Sequence, residues 1–315
     1  MHALLATIAA LPLPTEACRV FHGRGGLHEG CEQWSLDFYP PVWLLTSFAP
    51  VTDEELAQVG EALATRWAEL TPGQPLNWVF QHRDEYRPYN CLMAGGVPTP
   101  HIVSEHGARY EVHLLRGQNH GLFLDMAAGR QWVQRWAQAH PRGRVLNLFA
   151  YTCAFSVVAR LAGAGSVLNF DMAKGPLAQG QRNHELNGVQ EGTAFMPHDI
   201  FSSWGKITRR GPYDLVIADP PSYQKGSFVA TKDYARLVRR LPDLIAPGGH
   251  ALLALNAPEL GPQFLLDLVQ QEAPMFTLVE RVANPPSFAD VDEDRALKVL
   301  VFQRQAQGAA ATSAA

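Results

Sequence analysis

Between Arg144 and Leu255 short apolar runs alternate with longer segments of helical composition, and this alternation restricts the fold more tightly than any other feature of the chain. RVLNLFA (Arg144–Ala150), SVLNF (Ser166–Phe170), AFMP (Ala194–Pro197), YDLVIA (Tyr213–Ala218) and HALLAL (His250–Leu255) read as buried strands. Phe155–Gly163, Ala173–Leu186 and Tyr234–Ile245 read as helices, the second stopped by Asn187-Gly188 and the third by the turn APGG. Repetition of this kind builds an open, mostly parallel α/β sheet with helices on both faces. The second and fourth strands end on Asp171 and Asp219, and the third leads into Asp199. Ligands of such sheets collect at the carboxyl ends of the strands, so these carboxylates are the first candidate site residues.

The sequence before this region has a different texture. Trp34–Phe48 reads as two short strands broken by Pro40-Pro41, Asp53–Leu70 as an amphipathic helix and Leu76–Gln81 as a strand. RPYNCLMAGGVPTPH is loop-rich and marks a junction near residue 95, and Gly107–Asp125 alternates like a hairpin leading into the larger domain. The expected division is a small N-terminal α/β (α+β) domain over residues 1–95, a larger domain over 96–303, and a flexible tail over 304–315.

Several function classes drop out. The apolar start MHALLATIAALPLP lacks the basic residues that precede a signal-peptide core, and no run is long enough for a membrane span. Cys18, Cys31, Cys91 and Cys153 form no CxxC pair and the histidines no HxxxH or HExxH array, so no disulfide framework or metal is expected, and the chain reads as cytoplasmic. A net charge of −4 means that any polyanion must be held by a local patch. Arg24, in the Gly-rich FHGRGGLHEG, is a candidate for such a phosphate contact, although no strand leads into that run and no GK[ST] closes it as in a P-loop. Trp132 and Trp136, at helical spacing, read as core.

The loop after the first strand, FAYTCAFS, has no GxGxxG, which argues against a dinucleotide whose pyrophosphate must approach the backbone over glycines. S-adenosylmethionine, a nucleoside without phosphates, suits strand-end carboxylates better. Asp171 is placed to accept its ribose hydroxyls; the same residue also reads as an N-cap for the helix that follows.

The blocks GQNHGLFLDMAAGR, VLNLFAYTCAFSVVARLAGAGSVLNFDMAKGPLAQGQRNHELNGV, YDLVIADPPSYQKG and ALKVLVF, in this order over roughly residues 100–303, resemble the Methyltrans-SAM family of class I S-adenosylmethionine-dependent methyltransferases, which includes RlmI-like and RlmK-like large-subunit (23S) ribosomal RNA enzymes. The resemblance implies a Rossmann-like methyltransferase sheet. It places Phe149, Tyr151 and Thr152 in the first cofactor loop, Asp171 on the ribose, and His198 and Asp199 beside the adenine. Asp219, Pro220 and Pro221 become the catalytic strand end, and Gln118, Phe123 and Asp125 the block that covers the cofactor. One departure stands out: Cys153 occupies a position where the family usually has glycine.

An aspartate running into two prolines gives a carboxylate on a backbone that cannot relax, suited to holding a planar base by an N–H. The loop after it offers Tyr223 and Phe228 for stacking on a flipped base, with Lys225 and Lys232 for phosphates. The cytosine C5 branch of the family adds a cysteine to the base, and the matching strand end here reads Leu255-Asn256-Ala257, without a thiol. The expectation is therefore an RlmK-like methylation of a guanine nitrogen in ribosomal RNA, with Asn256 helping to orient the base. The alternatives are C5 methylation of cytosine, a small-molecule or protein acceptor, and a cofactor-binding scaffold without activity.

Overall fold

The structure is a computed structural model that describes residues 1–83, 88–221, 223–224 (backbone only) and 228–306. The chain divides into two compact units, Met1–Ala128 with Asn284–Ala296, and Gly129–Ala283 with the segment from Leu297 onward. A short segment late in the chain thus returns to the first unit.

The first unit begins with helix α1 (His2–Ala10), so the apolar start is a helix whose Leu4 and Ile8 are fully buried. Strands β1 (Cys18–His22), β2 (Trp34–Tyr39), β3 (Val42–Ser47), β4 (Asn77–His82) and β5 (Tyr89–Ala94) form one sheet in the order β1-β2-β3-β4-β5. Pro40-Pro41 makes the tight turn between β2 and β3 because neither proline needs a ladder donor there. Helix α2 (Asp53–Leu70) carries the chain from β3 to a parallel β4, and a reciprocal capping box between Thr52 and Glu55 fixes its start. Trp34, Phe38, Trp43, Val59, Leu63 and Trp67 fill the core between helix and sheet. Strand β5 lies in the stretch expected to be loop, because pairing with β4 overrides its glycine- and proline-rich flank. β6 (His101–Glu105) and β7 (Ala108–Val112) form a separate hairpin.

The second unit contains helix α3 (Ala127–Ala139), strand β8 (Arg144–Leu148), α4 (Ala154–Leu161), β9 (Ser166–Asp171), α5 (Lys174–Leu186), β10 (Thr193–Pro197), α6 (Trp204–Thr208) and β11 (Tyr213–Ala218). The two-residue strands β12 (Tyr223–Gln224) and β13 (Phe228–Val229) pair with each other, and α7 (Ala230–Val238), α8 (Leu241–Leu244), β14 (Ile245–Leu255), α9 (Gln263–Glu272), β15 (Phe276–Val282) and β16 (Lys298–Arg304) complete the chain. The sheet order is β10-β9-β8-β11-β14-β16-β15. The first five strands are parallel, while β15 and β16 run antiparallel. Two local expectations change. The helix expected to begin at Tyr234 begins at Ala230, and APGG lies inside β14, where Gly248 takes φ 81 and the strand shifts register against β11 instead of stopping. Trp132 and Trp136 are buried, and the Trp132 indole donates to Glu280. Among the described residues no helix is long and apolar enough to cross a membrane.

Candidate active site

Strand β8 comes first in the larger sheet's chain order but sits in the middle of its parallel part, with β9 and β10 on one side and β11 and β14 on the other. The order reverses between β8 and β11, and at such a switch point the connecting loops part and leave a crevice at the carboxyl edge. The register aligns that edge. Leu148 faces Phe170 and Ala218, Met196 faces Phe170, and Ala218 faces Leu253. The residues just past these positions form a row: His198 and Asp199, Asp171, Phe149 to Thr152, Asp219, and then Asn256.

The loop from Phe149 to Cys153 is the most constrained backbone in this row. Phe149, Tyr151 and Cys153 have φ of 56°, 47° and 62°, left-handed values that cost a residue with a Cβ roughly 1–3 kcal/mol each. Three contacts hold the turn. The Tyr151 N–H donates to Asp171 Oδ2 at 2.8 Å, the Asn183 amide donates to the Thr152 carbonyl at 3.0 Å, and the Cys153 N–H donates to the Ala150 carbonyl at 2.7 Å. Asp171 Oδ1 accepts from the Ala173 N–H at 2.7 Å. Asp171 therefore closes a turn; the N-cap of α5 is Ala173, and no side chain caps that helix. Each carboxylate oxygen commits one lone pair to the backbone and keeps another for a hydroxyl.

Cys153 occupies its left-handed position with its side chain inward. It is 0% exposed, and a Cβ placed on Gly180 of α5 would lie 2.4 Å from its Sγ. A glycine on the facing helix thus makes room for the thiol. Burial, with the charge of Asp171 added, pushes the thiol pKa well above its ordinary value.

Beneath the loop runs a buried polar ladder. Asn147 and Asn169 face each other on β8 and β9, and the Asn147 amide donates to Asn169 Oδ1 at 2.9 Å. The Asn169 amide donates to Ser156 Oγ at 3.1 Å, and Ser156 lies 2.8 Å from His184 Nε2. His184 Nδ1 lies 2.7 Å from the Gly180 carbonyl, which can only accept. Nδ1 therefore carries the proton, and Ser156 donates to Nε2. Burial pushes the His184 pKa down to about 4 and keeps the ring neutral in that role. The matching VLN runs in both strands were the signal for this ladder, since a central apolar strand carries a polar side chain only if it finds partners.

At the other end of the row, Asp219 follows β11 and leads into Pro220 and Pro221. Tyr234 of α7 is 1% exposed, its hydroxyl donates to the Ala254 carbonyl, and burial together with the charge of Asp219 pushes its pKa well up. Asn256 is exposed. Next to it the Ala257 carbonyl accepts from the ammonium of the fully buried Lys298 at 2.7 Å. Tyr234 and Lys298 thus fix the end of β14, and both stand out in sequence as polar-tipped residues within apolar faces.

The remaining expected residues differ in burial and partners. Phe228 is not a stacking surface: it is 1% exposed, packed against Phe149, Phe201 and Tyr234. The Tyr223 side chain and Lys225 lie outside the described residues, while Lys232 is exposed on α7. His198 is half-buried, with Nε2 at 3.5 Å from the Lys206 ammonium; Asp199 is exposed and accepts from the Phe201 N–H. Gln118, Phe123 and Asp125 belong to the first unit, where Phe123 is 42% exposed and the Asp125 charge acts on Arg19 and Arg24.

Two stability measurements test this construction. Gly180→Ala should destabilise by about 1–3 kcal/mol through overpacking against Cys153, and Cys153→Gly in the same chain should recover most of that loss. Additive effects in urea unfolding would show that the two side chains do not compete for one space. His184, with a folded pKa near 4 against about 6.5 when unfolded, binds its proton only in the unfolded chain between those values. Its stabilising share is therefore complete above pH ~6.5 and is lost as pH falls toward 4, by up to about 1.4 kcal/mol per pH unit. His184→Asn should decline less steeply than wild type over that window; parallel curves would contradict the buried neutral ring.

Comparison with known proteins agrees with this geometry. A family model described as S-adenosylmethionine-dependent methyltransferase matches residues 18–303. The Aeromonas salmonicida ribosomal RNA large subunit methyltransferase I is 26% identical over 251 residues, which cover 78% of this chain and 62% of that protein. The Hahella chejuensis ribosomal RNA large subunit methyltransferase K/L is 34% identical over 160 residues, 49% of this chain and 22% of that protein. The chain thus spans less than two thirds of either relative. The fold is shared with SMU.776, a putative methyltransferase crystallised with SAH (TM-score 0.79, 22% identity, 96% of this chain and 81% of that one). It is also shared with the M. jannaschii tRNA m1G37 methyltransferase (TM-score 0.61, 14% identity, 88% and 77%). With the family model spanning both units and the switch-point crevice built from its residues, the chain belongs to the S-adenosylmethionine-dependent methyltransferase family.

Proposed function

We propose that this methyltransferase acts on a base of large-subunit ribosomal RNA in the cytoplasm, at a guanine nitrogen, with Asp219 and Asn256 holding the base. The observation that carries the choice of nitrogen is the state of the thiols. No cysteine follows Cys153 in the sequence, and Cys153 is fully buried with its pKa raised. C5 of cytosine must first be activated by a thiolate added at C6, and a protonated, enclosed thiol cannot add. A guanine nitrogen needs no adduct, only orientation and a route for its proton.

The residues on the sheet edge fit S-adenosylmethionine as a donor set. Asp171 retains acceptor capacity for two ribose hydroxyls, and the left-handed loop beside it turns its backbone at the switch point. His198 and Asp199 would flank the adenine, and the resemblance assigns Gln118, Phe123 and Asp125 to the cofactor as well. Bound there, the cofactor supplies a methyl group already activated by its sulfonium. The protein's part is then position. Pro220 and Pro221 hold the backbone of Asp219 so that its carboxylate accepts a hydrogen bond from the base, and the exposed Asn256 amide donates to a ring acceptor. The acceptor class draws support from the relatives, which are named for large-subunit ribosomal RNA.

Asp171→Ala should weaken cofactor binding by more than about 1.5 kcal/mol, whereas Asp171→Asn, which keeps one acceptor oxygen, should lose less. Unchanged affinity in calorimetry would remove Asp171 from the ribose. For acceptor chemistry, labelled methyl incorporation into ribosomal RNA fragments should nearly vanish in Asp219→Ala and persist in Cys153→Ser. A covalent adduct between Cys153 and 5-fluorocytosine RNA would replace the nitrogen reading with C5 chemistry.

A further inference from the structure

The first unit carries an arginine cluster that the methyl-transfer site does not use. Residues 23–25 form a single 3-10 turn with Arg24 at its tip. Both flanking glycines are forced by close approach: a Cβ on Gly23 would lie 1.8 Å from the Cys31 carbonyl oxygen, and one on Gly25 would lie 2.2 Å from that of Ala289. The Val291 N–H donates to the Gly25 carbonyl at 2.8 Å and pins the turn from its other side. Such a turn holds the Arg24 stem at a fixed point on the surface.

The guanidinium of Arg24 lies over the ring of Phe48, its carbon 4.2 Å from the centroid, and that of Arg83 approaches the same ring at 5.6 Å. Behind them Arg19 is paired with Asp37 at 2.7 Å, stacks on Phe288 at 4.5 Å and contacts His22. Arg19 is thus neutralised and structural. Arg83 reaches the Asn119 side-chain oxygen at 3.5 Å, and the Arg24 guanidinium has no hydrogen-bond acceptor among the described residues. Burial against neighbouring atoms, followed by the charge of Arg19, lowers the Arg24 pKa against the opposing charge of Asp125; burial, followed by the charges of Arg24 and Arg19, lowers that of Arg83 against the opposing charges of Asp37 and Tyr39. Burial and the same pair, Arg19 and Arg24, push His22 down to about 4, so it adds no charge at neutral pH. Like charges have been gathered around one ring at the surface of a chain whose net charge is −4.

We infer that Arg24 and Arg83, held against Phe48, form a phosphodiester clamp for the RNA acceptor. Planar guanidinium forks bind phosphate oxygens in pairs, and stacking on a ring immobilises them before the ligand arrives. An anion placed here also relieves the repulsion that the cluster builds in. Arg24 is exposed at the surface, where a polymer backbone can reach it. The inference rests on RNA being the acceptor.

The test uses the full chain and fluorescently labelled fragments of large-subunit ribosomal RNA. Arg24→Gln with Arg83→Gln should weaken binding at low salt by roughly tenfold and reduce the slope of log affinity against log salt by about 0.7 for each single-strand phosphate that is no longer neutralised. Arg24→Lys, which keeps the charge but loses the fork, should preserve the slope and recover only part of the affinity. Cofactor affinity and kcat at saturating RNA should be unchanged, with the loss confined to KM. A double variant with wild-type slope overturns the clamp while leaving the RNA reading intact. Wild-type protein that binds no ribosomal RNA fragment overturns both, and competition by inorganic phosphate at equal charge concentration overturns the assignment to a polymer backbone.

Discussion

The hydrogen bond from the Tyr151 N–H to Asp171 is the contact on which the rest of the site depends. It ties the ends of β8 and β9 together beside the switch point between β8 and β11, and it does so across a loop that would not adopt its shape unaided. Three left-handed residues with side chains imply a cost of several kcal/mol, well beyond what one ordinary hydrogen bond contributes. The offset is distributed. Asn183 satisfies the Thr152 carbonyl from α5, the Cys153 side chain fills the space left by Gly180, and the Asn147-Asn169-Ser156-His184 ladder locks β8, β9, α4 and α5 into one relative position. The strain is tolerated because the surroundings determine the loop from every side.

The same arrangement explains why cysteine stands at position 153. A left-handed φ comes freely only to glycine, so a side chain here costs backbone energy; the compensation is a fully buried side chain and one cavity fewer. The exchange works only if the facing helix gives up a side chain, and Gly180 is where it does. A thiol so placed is structural.

Much of the larger unit was legible because its signals are local. A buried parallel strand must be apolar along its length, so YDLVIA and SVLNF announce themselves, and an aspartate at the end of such a run has nowhere to go but the carboxyl edge. What escaped was set by partners distant in sequence. β5 is a strand because β4 lies beside it, APGG is absorbed into β14 as an irregularity because β11 pairs with Ile245 before it and with His250 after it, and Phe228 is core because three aromatic rings close around it. The return of residues 284–296 to the first unit leaves no local trace either, since it is fixed by contacts such as that of Val291 with Gly25.

Those long-range contacts also bear on how an acidic protein approaches a polyanion. For the proposed RNA acceptor, a net charge of −4 repels at a distance, so encounter would not be driven by the whole surface and would rely on a few cations whose geometry is fixed in advance. Flexible lysines would lose rotamer entropy on each contact. Arg24 on a glycine-clamped turn and Arg83 beside the same phenylalanine lose less, because stacking has already ordered them. Two residues of the segment that returns late in the sequence, Ala289 and Val291, hold that turn in place, and Phe288 stacks on the arginine behind it. The segment 284–296 therefore serves as the back wall of the arginine cluster, which gives the discontinuous first unit a physical purpose that neither its composition nor its position in the chain reveals.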